Sequence, residues 1–293
     1  MPDPRIYANQ EAFRQALGER LKQRSQENGI DLNRLYKQVA FERLLARFFN
    51  EDSPRWLLKG GYAIELWLGG GARATKDIDL TIPHLTFISK KDADNLVVIR
   101  ELLQEKAAQD MGDYFQFFIG EKILELHDAP AGGARFPVEA RLAGRTFTKF
   151  HLDIGIGDEV IGKIKWRTGH ELLSFAGISP ARIALIPVEQ QFAEKIHALT
   201  KPRGEIPNSR VKDLADLVLL IEYGLPEAGV VVQAIRATFD RRNTHTIPMN
   251  LKMPPKEWEP VYKNFVRDFN LPATSINEAF ERVTTYWKTL FKD

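Results

Sequence analysis

Apolar residues recur at helical spacing in two N-terminal stretches: Phe13, Leu17 and Leu21 within Gln10–Asn28, then Leu35, Val39, Phe41, Leu44, Leu45 and Phe48 within residues 31–49. The pattern predicts two packing helices. Glu51-Asp52-Ser53-Pro54 interrupts it, and Trp56-Leu57-Leu58 leads into the pair Gly60-Gly61, after which residues 62–68 read as a short helix. A strand ending in Asp77-Ile78-Asp79-Leu80 follows, then a loop and a helix over 93–107 with Leu96, Val97, Ile99, Leu102 and Leu103 at apolar positions. From Tyr114 the period changes to two. Residues 115–119, 135–143 and 146–156 read as strands, separated by Asp128-Ala129-Pro130-Ala131-Gly132-Gly133 and by Ala143-Gly144.

At Ile183 the chain changes character again. Residues 188–200 and 210–223 read as helices joined by a Pro- and Gly-containing loop, with Ser209 in place to cap the second. Further helices are predicted over 230–239 and 276–291, and Pro254-Pro255-Lys256-Glu257-Trp258-Glu259-Pro260 reads as a connection. No internal repeat appears. The order of elements predicts an α+β protein of two closely packed parts, 1–182 with the strands and 183–293 wholly helical, which suits a length of 293 residues.

Composition adds exclusions more than identity. With 44% hydrophobic residues and no apolar run near the roughly 20 residues of a membrane span, a soluble globular protein with no membrane partner is expected. The start, MPDPRIYANQ, lacks the features of a signal peptide. Zero cysteines rule out disulfides, thiolate metal sites and cysteine nucleophiles, and agree with a cytoplasmic location. A net charge of only +2 means that any nucleic-acid surface must arise from local clustering. Two clusters stand out: Arg141, Arg145, Lys149, Lys163, Lys165 and Arg167, then Lys195, Lys201, Arg203, Arg210 and Lys212.

The candidate chemistry centres on residues 59–80. On a strand, Asp77 and Asp79 leave from one face while Ile78 and Leu80 leave from the other. Two carboxylates so close repel unless a cation lies between them, and hard oxygen ligands suit Mg²⁺ or Mn²⁺ beside nucleotide phosphates. The other reading is a solvated edge-strand face. Gly60 and Gly61 allow a close backbone approach to a triphosphate at a helix N-terminus, with Lys59 as a point charge. In 146–156, Phe150, Leu152 and Ile154 point one way and His151 and Asp153 the other, so Asp153 is a polar residue on a half-buried strand. Asp158, just beyond it, is the fallback for that carboxylate but reads rather as a turn residue. A hairpin of the 188–200 and 210–223 helices would bring Lys195 near Asp213, with Asp216 the lesser partner; on residues alone this is an ion pair. His197 reads as structural.

These motifs, KGG…RATKDIDL from Lys59, FHLDIGIGD at 150–158, FAEKIHALTKPR at 192–203 and SRVKDLADL at 209–217, resemble the AbiEii-type nucleotidyltransferase toxins, including the MenT group, of the DNA polymerase β superfamily. The resemblance covers most of the chain. It implies a polymerase-β-like nucleotidyltransferase lobe, a mixed sheet flanked by helices, followed by a C-terminal helical lobe that contributes to the active site. It further implies transfer of a nucleotide from an NTP to an acceptor, in some members the 3′ end of tRNA, which stops translation and is relieved by a cognate antitoxin.

Carried onto this sequence, the resemblance assigns catalytic roles to Asp77, Asp79, Lys195 and Asp213. It assigns the metal, Mg²⁺ or Mn²⁺, to Asp77, Asp79 and Asp153, and the nucleotide to Lys59, Gly60, Gly61, Arg73 and Lys195. Thr75 occupies the place where some MenT-type toxins carry a hydroxyl that the antitoxin phosphorylates. The segment between Gly61 and Asp77, with Gly69-Gly70-Gly71, is longer than in related enzymes, so base preference stays open. Two rival functions also stay open: nucleotidylation of a protein hydroxyl, and a non-catalytic RNA-binding module.

Overall fold

The computed structural model of the chain describes residues 7–69, 75–83, 92–126, 129–204, 208–269 and 271–291. The elements in order are α1 (Gln10–Asn28), α2 (Leu32–Phe48), β1 (Leu57–Lys59), α3 (Gly60–Leu68), β2 (Ile78–Ile82), α4 (Asp92–Ala107), β3 (Phe115–Ile119), β4 (Leu124–Glu125), β5 (Gly133–Leu142), β6 (Arg145–Ile156), β7 (Lys165–Thr168), β8 (Arg182–Leu185), α5 (Val188–Thr200), α6 (Val211–Tyr223), α7 (Ala228–Arg242), α8 (Glu259–Phe269) and α9 (Ile276–Leu290). They fall into two compact units that interleave along the chain: residues 1–58, 75–157 and 166–184 form the first, and residues 59–74, 158–165 and 185–293 the second.

The first unit holds the sheet. Its strands run in the order β3-β5-β6-β2-β1-β8-β7, with β4 also paired to β5. The sheet is mixed, because β2 is parallel to β6 whereas β5 is antiparallel to β3, β4 and β6. Period-two patterning works as expected: Ile78, Leu80, Phe136, Val138, Phe150, Leu152 and Ile154 are all buried. Helix α2 covers this apolar face, where Phe41 meets Phe150 edge-on at 4.9 Å between centroids. The helix ends are set locally. Asn9 accepts a hydrogen bond from the Ala12 amide at the start of α1, Gly29 closes it at φ 64°, and Asp31 accepts from Arg34 at the start of α2. Below them Asp113, fully buried, is bound by Arg47 at 2.8 Å and Arg43 at 2.6 Å, so a buried charge is left with partners.

In the second unit α5, α6, α7 and α9 close around Phe192, Ile196, Leu214, Leu217, Val231, Ile235, Val283 and Trp287, with Ile64 from α3. Each such side chain contributes about 1.5–3 kcal/mol by leaving water, which is what makes these helices cohere. The α+β architecture, with a mixed sheet flanked by helices and a helical C-terminal part, is therefore as expected.

Several local expectations need correction. Val97 is 55% exposed, while Ile99 and Leu103 carry the buried stripe of α4. Ser209 caps nothing: Arg210 is the N-cap of α6, without a side-chain bond, and its amide is taken by the Asn208 side chain instead. The prolines of 254–260 do not mark a mere connection, since α8 begins at Glu259 with Pro260 in its first turn, where the missing amide costs nothing. Strand β7 also escaped prediction, its four residues carrying too short a pattern.

Candidate active site

Asp79 on β2 and Asp153 on β6 are direct register partners across the parallel pair. Strands lie about 4.8 Å apart and register partners share a face, so the two carboxylates leave the sheet side by side. Asp77 stands one residue before β2 and reaches the same neighbour strand, its Oδ1 lying 3.3 Å from the His151 amide and 3.1 Å from His151 Nδ1. Alternation explains this grouping: Ile78, Leu80, Leu152 and Ile154 are drawn into the core, and the acids between them are forced out on the other face.

Sequence reasoning missed Arg135. It sits opposite Asp153 on β5 and forks onto it, with Nε and one Nη each 2.7 Å from a different carboxylate oxygen. The bond to Asp153, opposed by burial and reinforced by the charges of Asp153, Asp77 and Asp79, raises the guanidinium pKa above its ordinary value. The Arg135 guanidinium thus feels all three carboxylates. The donor set contains only hard oxygens and fits Mg²⁺ or Mn²⁺. Among the described residues no group of three or more acidic, histidine or cysteine ligands is already gathered for a metal, and both Asp153 oxygens are engaged by Arg135. A divalent ion held by these acids would have to compete with that guanidinium.

In the second unit the α5–α6 hairpin brings Lys195 to Asp213, Nζ to Oδ1 at 3.1 Å. Asp216, expected as the lesser partner, is the closer one at 2.7 Å and is fully buried. It lies one helical turn from Asp213, so a single ammonium spans both. Arg210 reaches the other Asp213 oxygen at 3.6 Å.

Gly60 opens α3 at φ 69°, which a side chain would strain, and Gly61 is buried behind it. Lys59, the N-cap of α3, is ion-paired with Asp158 and, at 3.0 Å, with Glu194; Arg242 binds the same two acids at 3.1 and 3.3 Å. Burial lowers the Lys59 pKa, but the Asp158 and Glu194 charges outweigh it and raise the net value. Asp158 is consequently no turn residue. It is a buried member of a four-charge network whose other members, Lys59, Arg242 and Glu194, lie 99, 84 and 36 residues away in sequence.

Arg73 lies outside the described residues. The Thr75 hydroxyl is buried and has no hydrogen-bond partner among them, and the residue precedes β2 rather than lying on it. His197 is structural as expected, buried in α5 with Nε2 2.8 Å from the Thr244 hydroxyl. No helix among the described residues is long and apolar enough to cross a membrane.

Comparison with known proteins shows the family and the fold. The sequence model of the family described as nucleotidyl transferase AbiEii toxin, type IV TA system, matches residues 43–285. Among solved structures, MenT4, a nucleotidyltransferase toxin from Mycobacterium tuberculosis H37Rv, superposes with a TM-score of 0.59 at 14% identity, over 89% of this chain and 85% of that one. That match shows a shared fold. An antigenic nucleotidyltransferase-like protein from Paracoccidioides brasiliensis aligns at 16% identity over 70% of this chain and 88% of that one, with a TM-score of 0.39. No curated protein sequence matches significantly.

Proposed function

The chain belongs to the AbiEii nucleotidyl transferase toxins of type IV toxin–antitoxin systems, and on that premise we propose that it moves a nucleoside monophosphate from an NTP to the 3′ end of an RNA, tRNA in the first place, and so blocks translation. The terminal 3′ oxygen attacks the α-phosphorus. The new O–P bond forms as the bond to the bridging oxygen of pyrophosphate breaks, and the hydroxyl proton passes to solvent. Family membership implies an antitoxin partner and an NTP substrate. The acceptor, the metal and the cytoplasmic setting are this reading's own.

What carries the reading is the pairing of Asp79 with Asp153 across parallel strands, two residues from Asp77. In this reading Asp77, Asp79 and Asp153 hold Mg²⁺ or Mn²⁺. When bound, the ion supplies Lewis-acid polarisation of the phosphoryl oxygens. The amides at the start of α3, opened by Gly60 and Gly61, offer donors to the triphosphate, with Lys59 beside them; Arg73 is assigned to the nucleotide by the family resemblance. Lys195 meets charge developing on the departing pyrophosphate, and Asp213 orients Lys195. A phosphate on Thr75 would set about two negative charges beside Asp77 and oppose nucleotide binding. Incubating the protein with each α-labelled NTP, Mg²⁺ and either total RNA or total protein tests the acceptor. Label in RNA is expected; label in protein alone, or none, would contradict the proposal.

A further inference from the structure

The first unit contains a cavity of about 740 Å³ that includes Asp77 and His151 in its lining. Its volume is within the ~300–1,000 Å³ of ordinary ligand pockets. Five cationic side chains line it, Lys37, Lys76, Arg100, Arg135 and Lys149, against the carboxylates of Asp77 and Glu139. Glu139 stays ionised, its pKa held down to about 2 by Arg141 and Thr146, and Lys149 stands 3.9 Å from it, but with two carboxylates against five cations the lining keeps a net positive charge. The cavity therefore selects for an anion with several charges.

A second feature narrows the class. On β3, Phe115, Phe117 and Ile119 are buried while Phe118 lines the cavity and is 45% exposed. The Arg141 guanidinium lies 4.7 Å from the Phe118 ring centroid. An exposed aromatic ring with a guanidinium over it, inside a cationic pocket, is the arrangement on which unpaired bases stack. Register extends it toward the acids. Pro137 pairs with His151 and Glu139 with Lys149, so the β6 lining runs from Lys149 to His151 and ends two residues, roughly 7 Å at strand rise, short of Asp153.

We infer that this cavity binds the single-stranded end of the acceptor polynucleotide, with a base on Phe118 and phosphates along Lys37, Arg100 and Lys149, leading the terminal hydroxyl toward Asp77. The identity of this strand as acceptor rests on the proposed function; its binding does not. A volume of this size accepts the end of a strand and not a duplex.

The test is fluorescence anisotropy with a labelled single-stranded RNA of about ten nucleotides, without NTP or divalent ion, across a salt series. Lys149→Glu is expected to weaken binding about tenfold and to flatten the salt dependence. Phe118→Ala is expected to weaken it about tenfold with the salt slope unchanged. Lys252→Glu, in the second unit, should bind as the parent does. Both cavity variants binding like the parent, or equal affinity for duplex, would overturn the inference; circular dichroism checks folding of each. Transfer assays on the same variants separate the two ideas. Transfer that persists undiminished in Phe118→Ala and Lys149→Glu removes the cavity's role and spares the proposed reaction, whereas cavity-dependent binding by a parent protein inactive in transfer does the reverse.

Discussion

Asp153 and Arg135 meet in a two-pronged ion pair, both bonds 2.7 Å, at register-paired positions of β6 and β5. The guanidinium compensates the acidic face formed with Asp77 and Asp79, and under the proposed function a divalent ion bound there would take over that compensation.

Replacing Arg135 with Leu should therefore destabilise the metal-free protein by about 1–2 kcal/mol, a modest figure because the pair is partly exposed. Mg²⁺ should then raise the melting temperature of Arg135→Leu more than that of the parent, since the ion meets an uncompensated face. Thermal unfolding with and without Mg²⁺ reads both effects. Equal stabilisation of the two proteins would argue against metal at these acids.

Lys195 separates stability from chemistry through its two acids. Asp216 is fully buried and Asp213 only mostly so. Asp216→Ala should cost about 3–5 kcal/mol in urea unfolding, because it leaves a buried ammonium short of its closest partner. Asp213→Ala should cost clearly less stability, yet lower nucleotide transfer by tenfold or more.

The Lys59 network makes a different prediction. Lys59→Met takes their lysine partner from Asp158 and Glu194, so the loss should appear first as stability, about 3 kcal/mol by urea unfolding. Asp158→Ala together with Lys59→Met should recover part of that loss, the sign of a coupled pair.

Acid sensitivity should arise in the second unit at His245. The Thr200 hydroxyl donates to the Ile196 carbonyl at 2.8 Å and therefore accepts from His245 Nε2–H, also at 2.8 Å. His245 Nδ1 is then the acceptor for Thr244, whose oxygen accepts in turn from His197 Nε2–H. Burial first, and the Lys201 charge second, lower the His245 pKa. The folded state thus holds fewer protons than the unfolded one. Stability should be full above the unfolded value of about 6.5 and fall with pH through that value until the lowered folded pKa is passed. Melting temperatures between pH 8 and 5 should show this slope in the parent and a flatter one in His245→Phe.

Much of this site can be read from local pattern, and the remainder depends on distance along the chain. Period-two alternation alone places Asp77 and Asp79 on one face and Asp153 on its strand's polar side. Helical spacing likewise pairs α5 with α6 and brings Lys195 to Asp213. Arg135 escaped because its place opposite Asp153 depends on the register of β5 against β6, which a bulge at Ala140/Arg141 shifts further up the hairpin. The Lys59, Asp158, Glu194 and Arg242 network draws on four separate stretches of chain, and no local periodicity encodes it. Asp216 reads as one more polar residue on α6 until packing shows it to be buried.

The central claim is that Asp77 and Asp79 form the transfer site, and Asp79→Asn tests it most directly, since it removes one charge without changing volume. Incorporation of α-labelled nucleotide into RNA, measured beside the parent at saturating Mg²⁺, should fall roughly a hundredfold or more while circular dichroism and melting stay close to the parent's. A folded Asp79→Asn protein that labels RNA at the parent's rate would contradict the account.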